Sequence, residues 1–321
     1  MKYYLGIDTG STKRHALIAD EDGTAVGFGE GGRSNPYNVE VFSSQLQEVT
    51  HQALSMAGVG MEQICGAGFG IGGYDWPSQR PQMDQAIATL GLGGPHEVVN
   101  DAMVALYGGT QAGWGVAVVA GTSCNAWGRD RQGRTGRMAG FSWLQENAGS
   151  SELVLKAIQA VALEWTRRGP ATRLSLALVE YAGLGSVTEL LEELTMGRLR
   201  IKPAAAPLVF RVAAEGDSVA QELVRWAGRE LGDQAVGIIR QLEFEQLDFE
   251  LVMGGSFFKG SPVVAEELGK VVHRVAPGAC LVRLDAPPVV GGVMLGMDVV
   301  GAHHPAARLR LIETFKHLQR P

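Results

Sequence analysis

Residues Ala117–Arg134 read AVVAGTSCNAWGRDRQGR, and they restate a pattern first met at Tyr4–Thr24, YLGIDTGSTKRHALIADEDGT. Each stretch has an apolar run, a small turn of Gly, Thr and Ser, a second run, and a charged turn closing on glycine. The spacing is nearly the same, Gly10 to Gly23 in one copy and Gly121 to Gly133 in the other. Short apolar runs bounded by turn residues are strand signals, so each copy predicts a β-hairpin with a glycine turn at its tip. Two such hairpins far apart in one chain point to two related halves.

The surrounding pattern extends the repeat. Tyr3–Ile7, His15–Ala19 and Ala25–Gly29 predict a three-stranded meander, with DEDGT at Asp20–Thr24 as one of its turns. A helix is expected at Val39–Met56, a buried strand at Ile64–Gly70, a helix at Gln82–Leu90, and a short strand at Glu97–Asn100 leading into DAMVALYGG. The order βββαβαβα is an α/β reading. From Gly115 a second meander follows, then a helix at Ser150–Trp165 and an all-helical, polar-faced stretch at Arg173–Arg198. Asp217–Leu242 holds the clearest helical spacing, with Ala220, Leu223, Val224, Ala227, Leu231, Ala235, Ile238, Ile239 and Leu242 on one stripe. Phe249–Met253 reads as a strand ending in Gly254–Gly255, and PPVVGG at Pro287–Gly292 as a second run of that kind. Ala306–Leu318 reads as a basic amphipathic helix. The second half thus repeats the first with a helical insertion. We expect lobes at 1–112 and 113–302, with a last helix at 303–321 available to complete the first.

Bulk properties agree with two globular cores. The chain has 321 residues, 45% hydrophobic and 19% charged, and single cores stop growing near ~250–300 residues. A net charge of −6 gives no sequence-wide attraction to nucleic acid or an anionic membrane. No apolar run of the ~18 residues a membrane span needs is present. The strand pattern begins at once in MKYYLGIDTG, leaving no room for a signal peptide. Cys65, Cys124 and Cys280 form no CxxC pair, which argues against a disulfide framework or structural zinc and for a reducing cytosol. The seven histidines show no HxH or HExxH spacing. Glycine is the outlier at 44 residues, clustered at Gly70–Gly73, Gly108–Gly109, Gly254–Gly255 and Gly291–Gly292, where backbone must approach something closely or take positive φ.

Three motifs carry candidate chemistry, each with a plain structural alternative. DTGSTK, Asp8–Lys13, lies between two strands and lacks P-loop spacing. Its small residues let backbone N–H groups reach phosphate oxygens, Thr9, Ser11 and Thr12 add hydroxyls, and Asp8 suits a water-mediated Mg2+. An ordinary glycine hairpin explains it equally well. Gly121–Ser123 is common turn chemistry by itself and gains meaning only from its matching place in the second hairpin. In VVNDA, Val98–Ala102, Asp101 stands where a strand meets a helix; a helix N-cap is the commoner use of such a carboxylate. The alternative is a general base that takes a proton from an attacking hydroxyl.

Taken in order, nine segments resemble the BadF/BadG/BcrA/BcrD-type ATPase family and, within it, the N-acetylglucosamine kinases. They are GIDTGSTK, GGRSNP at Gly31–Pro36, GFGIGG at Gly68–Gly73, VVNDA, VAGTS at Val119–Ser123, RMAGFSWLQENAGS at Arg137–Ser150, EGD at Glu215–Asp217, MGGSF at Met253–Phe257 and PPVVGGVMLG at Pro287–Gly296. The resemblance covers nearly the whole chain. It implies the fold of the actin, sugar-kinase and Hsp70 superfamily: two related ribonuclease H-like α/β domains, each with a mixed five-stranded sheet and a nucleotide held between them. The two hairpins would then grip one polyphosphate from both sides. On this resemblance Asp8, Thr9, Gly10, Ser11, Thr12 and Lys13 form the first phosphate loop, with Asp8 near the Mg2+. Gly121, Thr122 and Ser123 form the second, and Gly254, Gly255 and Ser256 the adenosine loop. Asp101 falls on the catalytic base. Ser34, Asn35, Gly72, Gly73 and Asn100 fall at the sugar.

One segment departs from the family. Where Gly-Asp-Glu-Gly-Ser is usual, this chain has Glu146-Asn147-Ala148-Gly149-Ser150, with Phe141 and Ser142 in place of Trp and Gly. Asn147 keeps hydrogen bonding but loses charge, and charge-assisted bonds are roughly twice as strong as neutral ones. Glu146 offers a carboxylate one position earlier. The resemblance therefore implies a soluble, cytoplasmic, ATP- and Mg2+-dependent sugar kinase acting on a hydroxyl, O6 by family habit, of a hexose or amino sugar, with N-acetylglucosamine or glucosamine the leading acceptors and a homodimer compatible. An ATPase that drives a partner protein and a non-catalytic sugar or nucleotide sensor are the competing readings.

Overall fold

The computed structural model describes residues 1–140, 148–302 and 305–318. Strands are β1 (Tyr3–Thr9), β2 (Arg14–Asp20), β3 (Ala25–Gly31), β4 (Ile64–Ile71), β5 (His96–Asn100), β6 (Gly115–Ala120), β7 (Cys124–Arg129), β8 (Thr135–Arg137), β9 (Phe249–Gly254) and β10 (Ala279–Arg283). Helices are α1 (Val39–Ala57), α2 (Arg80–Ala88), α3 (Asp101–Gly109), α4 (Ser150–Trp165), α5 (Leu174–Ala182), α6 (Val187–Thr195), α7 (Ala206–Ala214), α8 (Ser218–Gln241), α9 (Pro262–His273), α10 (Val289–Asp298) and α11 (Pro305–Leu318).

The strands form two five-stranded sheets in the orders β3-β2-β1-β4-β5 and β8-β7-β6-β9-β10. Each has an antiparallel meander whose first strand pairs in parallel with the next strand of the sheet, which in turn pairs in parallel with the last. The two sheets are topological copies, as the repeated hairpin predicts. This is the actin-like, ribonuclease H-like architecture expected from the sequence.

The first sheet is covered on both faces, so β1 and β2 are almost wholly buried rather than alternating. Leu5, Ile7, Ala16 and Ile18 pack with Phe42, Leu46 and Val49 of α1. Tyr4, Leu17 and Ala19 share the other cluster with Met103 and Val104 of α3, Val289 and Val293 of α10, and Leu311 and Phe315 of α11. Ala117 and Val252 of the second sheet join that cluster, so α3 and α10 form the layer between the sheets. The outer face of the second sheet and the α4–α9 helices make the third core, with Val116, Leu231, Ile238 and Leu251 among its members.

Helix ends follow local chemistry. Asn38 caps α1 by accepting from Val41 N at 3.0 Å, and Asp217 caps α8 by accepting from Ala220 N at 2.8 Å. The all-helical stretch expected over Arg173–Arg198 consists of α5 and α6, separated where Gly183 takes φ 69° and Ser186 opens a new helix. A correction concerns PPVVGG. This stretch is a fully buried helix, α10, not a strand, and it packs on β1, β4 and α3 although it falls in the expected 113–302 lobe. Its glycines explain the packing. A Cβ on Gly6 would lie 2.3 Å from Val293 N, and one on Gly68 would lie 2.3 Å from Gly292 O. Side-chain-free positions on strand and helix meet, and the backbones come into contact. Helix α11 lies along β3, where Thr314 Oγ1 accepts from Ala25 N at 2.9 Å and Phe315 meets Phe28 edge-on at 5.0 Å. Among the described residues no single helix is long and apolar enough to cross a membrane.

Candidate active site

Asp8 and Asp101 both belong to the layer between the sheets. Along β1 the even positions, Tyr4, Gly6 and Asp8, point to the α3–α10 side, and Asp8 is the last of them. Its β4 partner, Gly70, abuts Val104 of α3. Asp101 is the first residue of α3 but not its cap. Asn100 takes that task, accepting from Ala102 N through Oδ1 at 2.9 Å. The capping explanation for Asp101 is therefore replaced: Asn100 is the cap, and the Asp101 carboxylate has its own and Ala102's backbone N–H groups beside it.

That carboxylate meets close backbone. An added Cβ on Gly72 would sit 3.2 Å from Asp101 Oδ2 and 2.9 Å from Thr9 O, and Gly72 N donates to Thr9 O at 2.8 Å. Only a glycine lets the loop after β4 lie against both the first hairpin and Asp101. Electrostatics mark the same place. Burial pushes the Asp8 carboxyl up to about 7, the negative charge of Asp101 adds to the rise, and Lys13 partly offsets it. Burial pushes Asp101 up to about 6, with Asp75 adding to it and backbone N–H groups opposing. Perturbed carboxyls gathered at one point are a common mark of a catalytic site.

Asp75 was not anticipated. It accepts from Asn100 Nδ2 and from Asn125 Nδ2, each at 3.0 Å, so it ties the end of β5 to the start of β7 and joins the two halves beside Asp101. Its signal in the sequence was the acidic residue two places after Gly73, in GGYD. Arg14, also unanticipated, is buried, donates to Gly32 O and Arg33 O at 3.0 Å each, and pairs with Glu48.

The expected loops take definite positions. The first turn closes with Gly10 N donating to Lys13 O at 2.9 Å; Ser11, Thr12 and Lys13 are exposed. Thr9 is fully buried on the face opposite Asp8, and its hydroxyl has no hydrogen-bond partner. Ser34 is also buried, and both its N–H and its hydroxyl donate to Gly10 O, at 3.1 and 3.0 Å. It fastens its loop to the first hairpin, while neighbouring Asn35 is exposed. Gly73 has φ 87°, beside the Tyr37 hydroxyl.

In the second half, Gly121 N donates to Ser123 O at 2.8 Å. The N-terminus of α4 is spent on this turn: Ser150 N donates to Gly121 O and Ser151 N to Thr122 O, both at 2.9 Å. Gly255, at φ 96°, lies so close to β6 that a Cβ would be 2.1 Å from Ala120 O. Gly254, Gly255 and Ser256 therefore adjoin the second turn, and Gly255 and Ser256 are exposed. Phe141, Ser142, Glu146 and Asn147 lie outside the described residues.

Among the described residues there is no group of three or more His, Cys, Asp or Glu side chains that would enclose a metal. The donors present suit an ion that keeps several waters and takes other ligands from phosphate, as Mg2+ does. Two mutually repelling buried carboxylates would be relieved by a cation between them.

Comparison with known proteins agrees with the architecture. The family model described as the BadF/BadG/BcrA/BcrD ATPase family matches residues 5–296. An N-acetylmuramic acid/N-acetylglucosamine kinase of Clostridium acetobutylicum is 26% identical over 300 residues, 92% of this chain and 98% of that protein. An N-acetyl-D-glucosamine kinase of Dictyostelium discoideum is 24% identical over 317 residues, again 92% and 98%. A crystal structure of a candidate N-acetylglucosamine kinase from Chromobacterium violaceum superposes with a TM-score of 0.67 at 20% identity, covering 92% of this chain and 99% of that one. A glucokinase of the ROK family from Streptomyces griseus, solved with glucose and AMPPNP, has a TM-score of 0.56 at 21% identity, covering 92% and 98%. Twin sheets, paired glycine turns and a family match along nine-tenths of the sequence lead to one statement: this chain belongs to the BadF/BadG/BcrA/BcrD ATPase family.

Proposed function

We infer that the protein is an ATP-dependent sugar kinase that transfers the γ-phosphoryl group to a hydroxyl, O6 by the family resemblance, of an amino sugar or hexose. N-acetylglucosamine and glucosamine are the leading acceptors; the Clostridium relative, named for N-acetylmuramic acid as well, adds an acidic amino sugar to the set. The observation that carries the reading is Asp101: a carboxylate that does not serve as the helix cap, pushed up to about 6 by burial, at the start of α3.

In the mechanism, Asp101 accepts the proton of the attacking sugar hydroxyl as the new O–P bond forms and the bond to the departing ADP oxygen breaks. A base with a pKa near 6 is ionised at neutral pH yet basic enough to share that proton. Backbone N–H groups of the turns at 10–13 and 121–123 offer donors to the phosphate oxygens, and Lys13 adds positive charge there. Asp8 would hold Mg2+ through water, and that ion would neutralise charge on the transferring group. Gly254, Gly255 and Ser256, beside the second turn, would line the adenosine end. Ser34 orients the acceptor loop by its bonds to Gly10 O. Asp75, through Asn100 and Asn125, holds the two halves in register beside the base.

The test is ADP release from Mg-ATP with N-acetylglucosamine, glucosamine, N-acetylmannosamine, glucose, N-acetylmuramic acid and no sugar. At least one sugar should give turnover, and Asp101→Asn should lower kcat roughly 10²–10⁴-fold while leaving sugar binding by calorimetry in place. ADP release that is indifferent to sugar points to the partner-driving ATPase, and nucleotide binding without release to a sensor.

A further inference from the structure

The loop between β3 and α1 carries an aromatic ring that no step of the mechanism above uses. Tyr37 is 70% exposed. A single exposed apolar side chain is ordinary on a protein surface; what sets this one apart is how its loop is held. Ser34 donates to Gly10 O at 3.0 Å, and Asn35 N donates to Gln45 Oε1 at 2.9 Å. Pro36 is buried and its carbonyl accepts from Gln82 Nε2 at 2.8 Å, and Asn38 caps α1. The base of the Tyr37 side chain is therefore fixed by the residues on both sides of it.

Its far end is braced as well. A Cβ on Gly73 would lie 2.7 Å from the Tyr37 hydroxyl and 3.3 Å from the ring carbon that bears it. Held at both ends and mostly exposed, the ring has its faces open to solvent. The nearby Trp76, 49% exposed, differs in this respect, because the guanidinium of Arg137 already stacks on it at 4.1 Å. The exposed residues flanking Tyr37, Asn35 and Asn38, are polar, so the ring does not belong to an apolar patch of the size a protein partner needs.

The position is that of the acceptor. Gly72 lies against Asp101 Oδ2, and the next residue, Gly73, against the Tyr37 hydroxyl. Those two contacts and one Cα–Cα step place the side-chain tips no more than about 13 Å apart. A hexose with its reacting hydroxyl at Asp101 covers much of that distance. The negative charge of Asp75 also reaches Tyr37, adding to the rise that burial causes in its hydroxyl pKa.

We propose that Tyr37 is an acceptor-binding residue whose open ring face packs on a face of the sugar's pyranose ring. An aromatic face is negative, and a pyranose face presents C–H groups of the opposite polarity. This rests on the sugar-kinase reading and adds a residue to its acceptor site. The ring carries the effect and the hydroxyl does not, since that end is turned to Gly73.

The test uses the full chain and the sugar of the panel above with the highest kcat/KM, or the tightest-binding one if none turns over. Wild type is compared with Tyr37→Phe, Tyr37→Leu and Tyr37→Ala, and with Leu176→Ala, which removes a 74% exposed apolar side chain from α5. Tyr37→Ala and Tyr37→Leu should raise the sugar's KM and its calorimetric Kd roughly 5- to 30-fold. Their kcat should change by less than about threefold, and KM for ATP by less than about twofold. Tyr37→Phe and Leu176→Ala should stay within about twofold of wild type throughout. An unchanged sugar Kd in Tyr37→Ala overturns the proposal. So does retained affinity in Tyr37→Leu, which would make bulk and not the aromatic face responsible, or an equal loss in Tyr37→Phe, which would make it the hydroxyl. Turnover in wild type with any of these results leaves the kinase reading intact. If wild type binds sugar without releasing ADP, the kinase reading fails and the Kd series alone decides the role of Tyr37. Absence of binding to every sugar overturns both.

Discussion

At the start of α3, Asn100 and not Asp101 takes the capping task. With Asn100 capping α3, the Asp101 side chain keeps its acceptor capacity, and burial together with Asp75 holds its pKa near 6. On the proposed mechanism the deprotonated form acts as the base, so kcat/KM for the sugar should rise with pH through about 6 and then level, falling about tenfold per unit below that point. Asp75→Asn removes one negative neighbour and should move the acid limb to lower pH. A pH–rate profile of the two proteins checks both the position and the direction. VVNDA was legible as the junction of a strand and a helix. The division of labour between Asn100 and Asp101 was not, because adjacent polar residues at a helix start compete for one cap and only backbone geometry chooses. Asp75 and Arg14 were missed for a related reason. Each makes bonds to residues far along the chain, and no local pattern reports those.

Helix α10 carries the lesson at the scale of elements. Val-Val followed by Gly-Gly reads as a buried strand because a short apolar run has no period of its own. In the structure Gly292 and Gly296 lie against Gly6, Gly66 and Gly68, while Gly291 meets Val104 and Gly108 of α3. The contact is between backbones, so overpacking should be severe: Gly6→Ala is expected to cost about 1–3 kcal/mol or more and to lower the thermal midpoint by several degrees. A thermal melt of Gly6→Ala beside Gly10→Ala, whose Cβ would meet nothing nearer than 3.7 Å, separates close packing from the general effect of losing a glycine. The helices at Val39, Ser150 and Asp217 were legible almost to the residue, since each has a long amphipathic stripe and a readable start.

For the whole molecule, the chain returns at its end to where it began. Ala307, Leu311 and Phe315 of α11 are buried with Tyr4, Leu17 and Phe28, and Arg308 Nε donates to Gly108 O at 2.8 Å. Deleting residues 305–321 should uncover that surface. At ~1.5–3 kcal/mol per buried large side chain the loss is on the order of 5 kcal/mol, enough to abolish a cooperative transition or lower it by more than about ten degrees. Calorimetric unfolding of the shortened chain is the check, and an unchanged midpoint would mean that α11 contributes no more than a surface tail.

By itself the sequence determined the twofold plan: two glycine-tipped hairpins, two βββαβαβα halves, and an aspartate where a strand meets a helix. Those features are written in local periodicity and turn chemistry, which short stretches of chain express without help. The tertiary structure alone decided that α10 and α11 return to the first sheet, and that Asp75 links the halves through two asparagines. Each of these depends on which distant surfaces are buried against one another, and burial sets the pKa of Asp101.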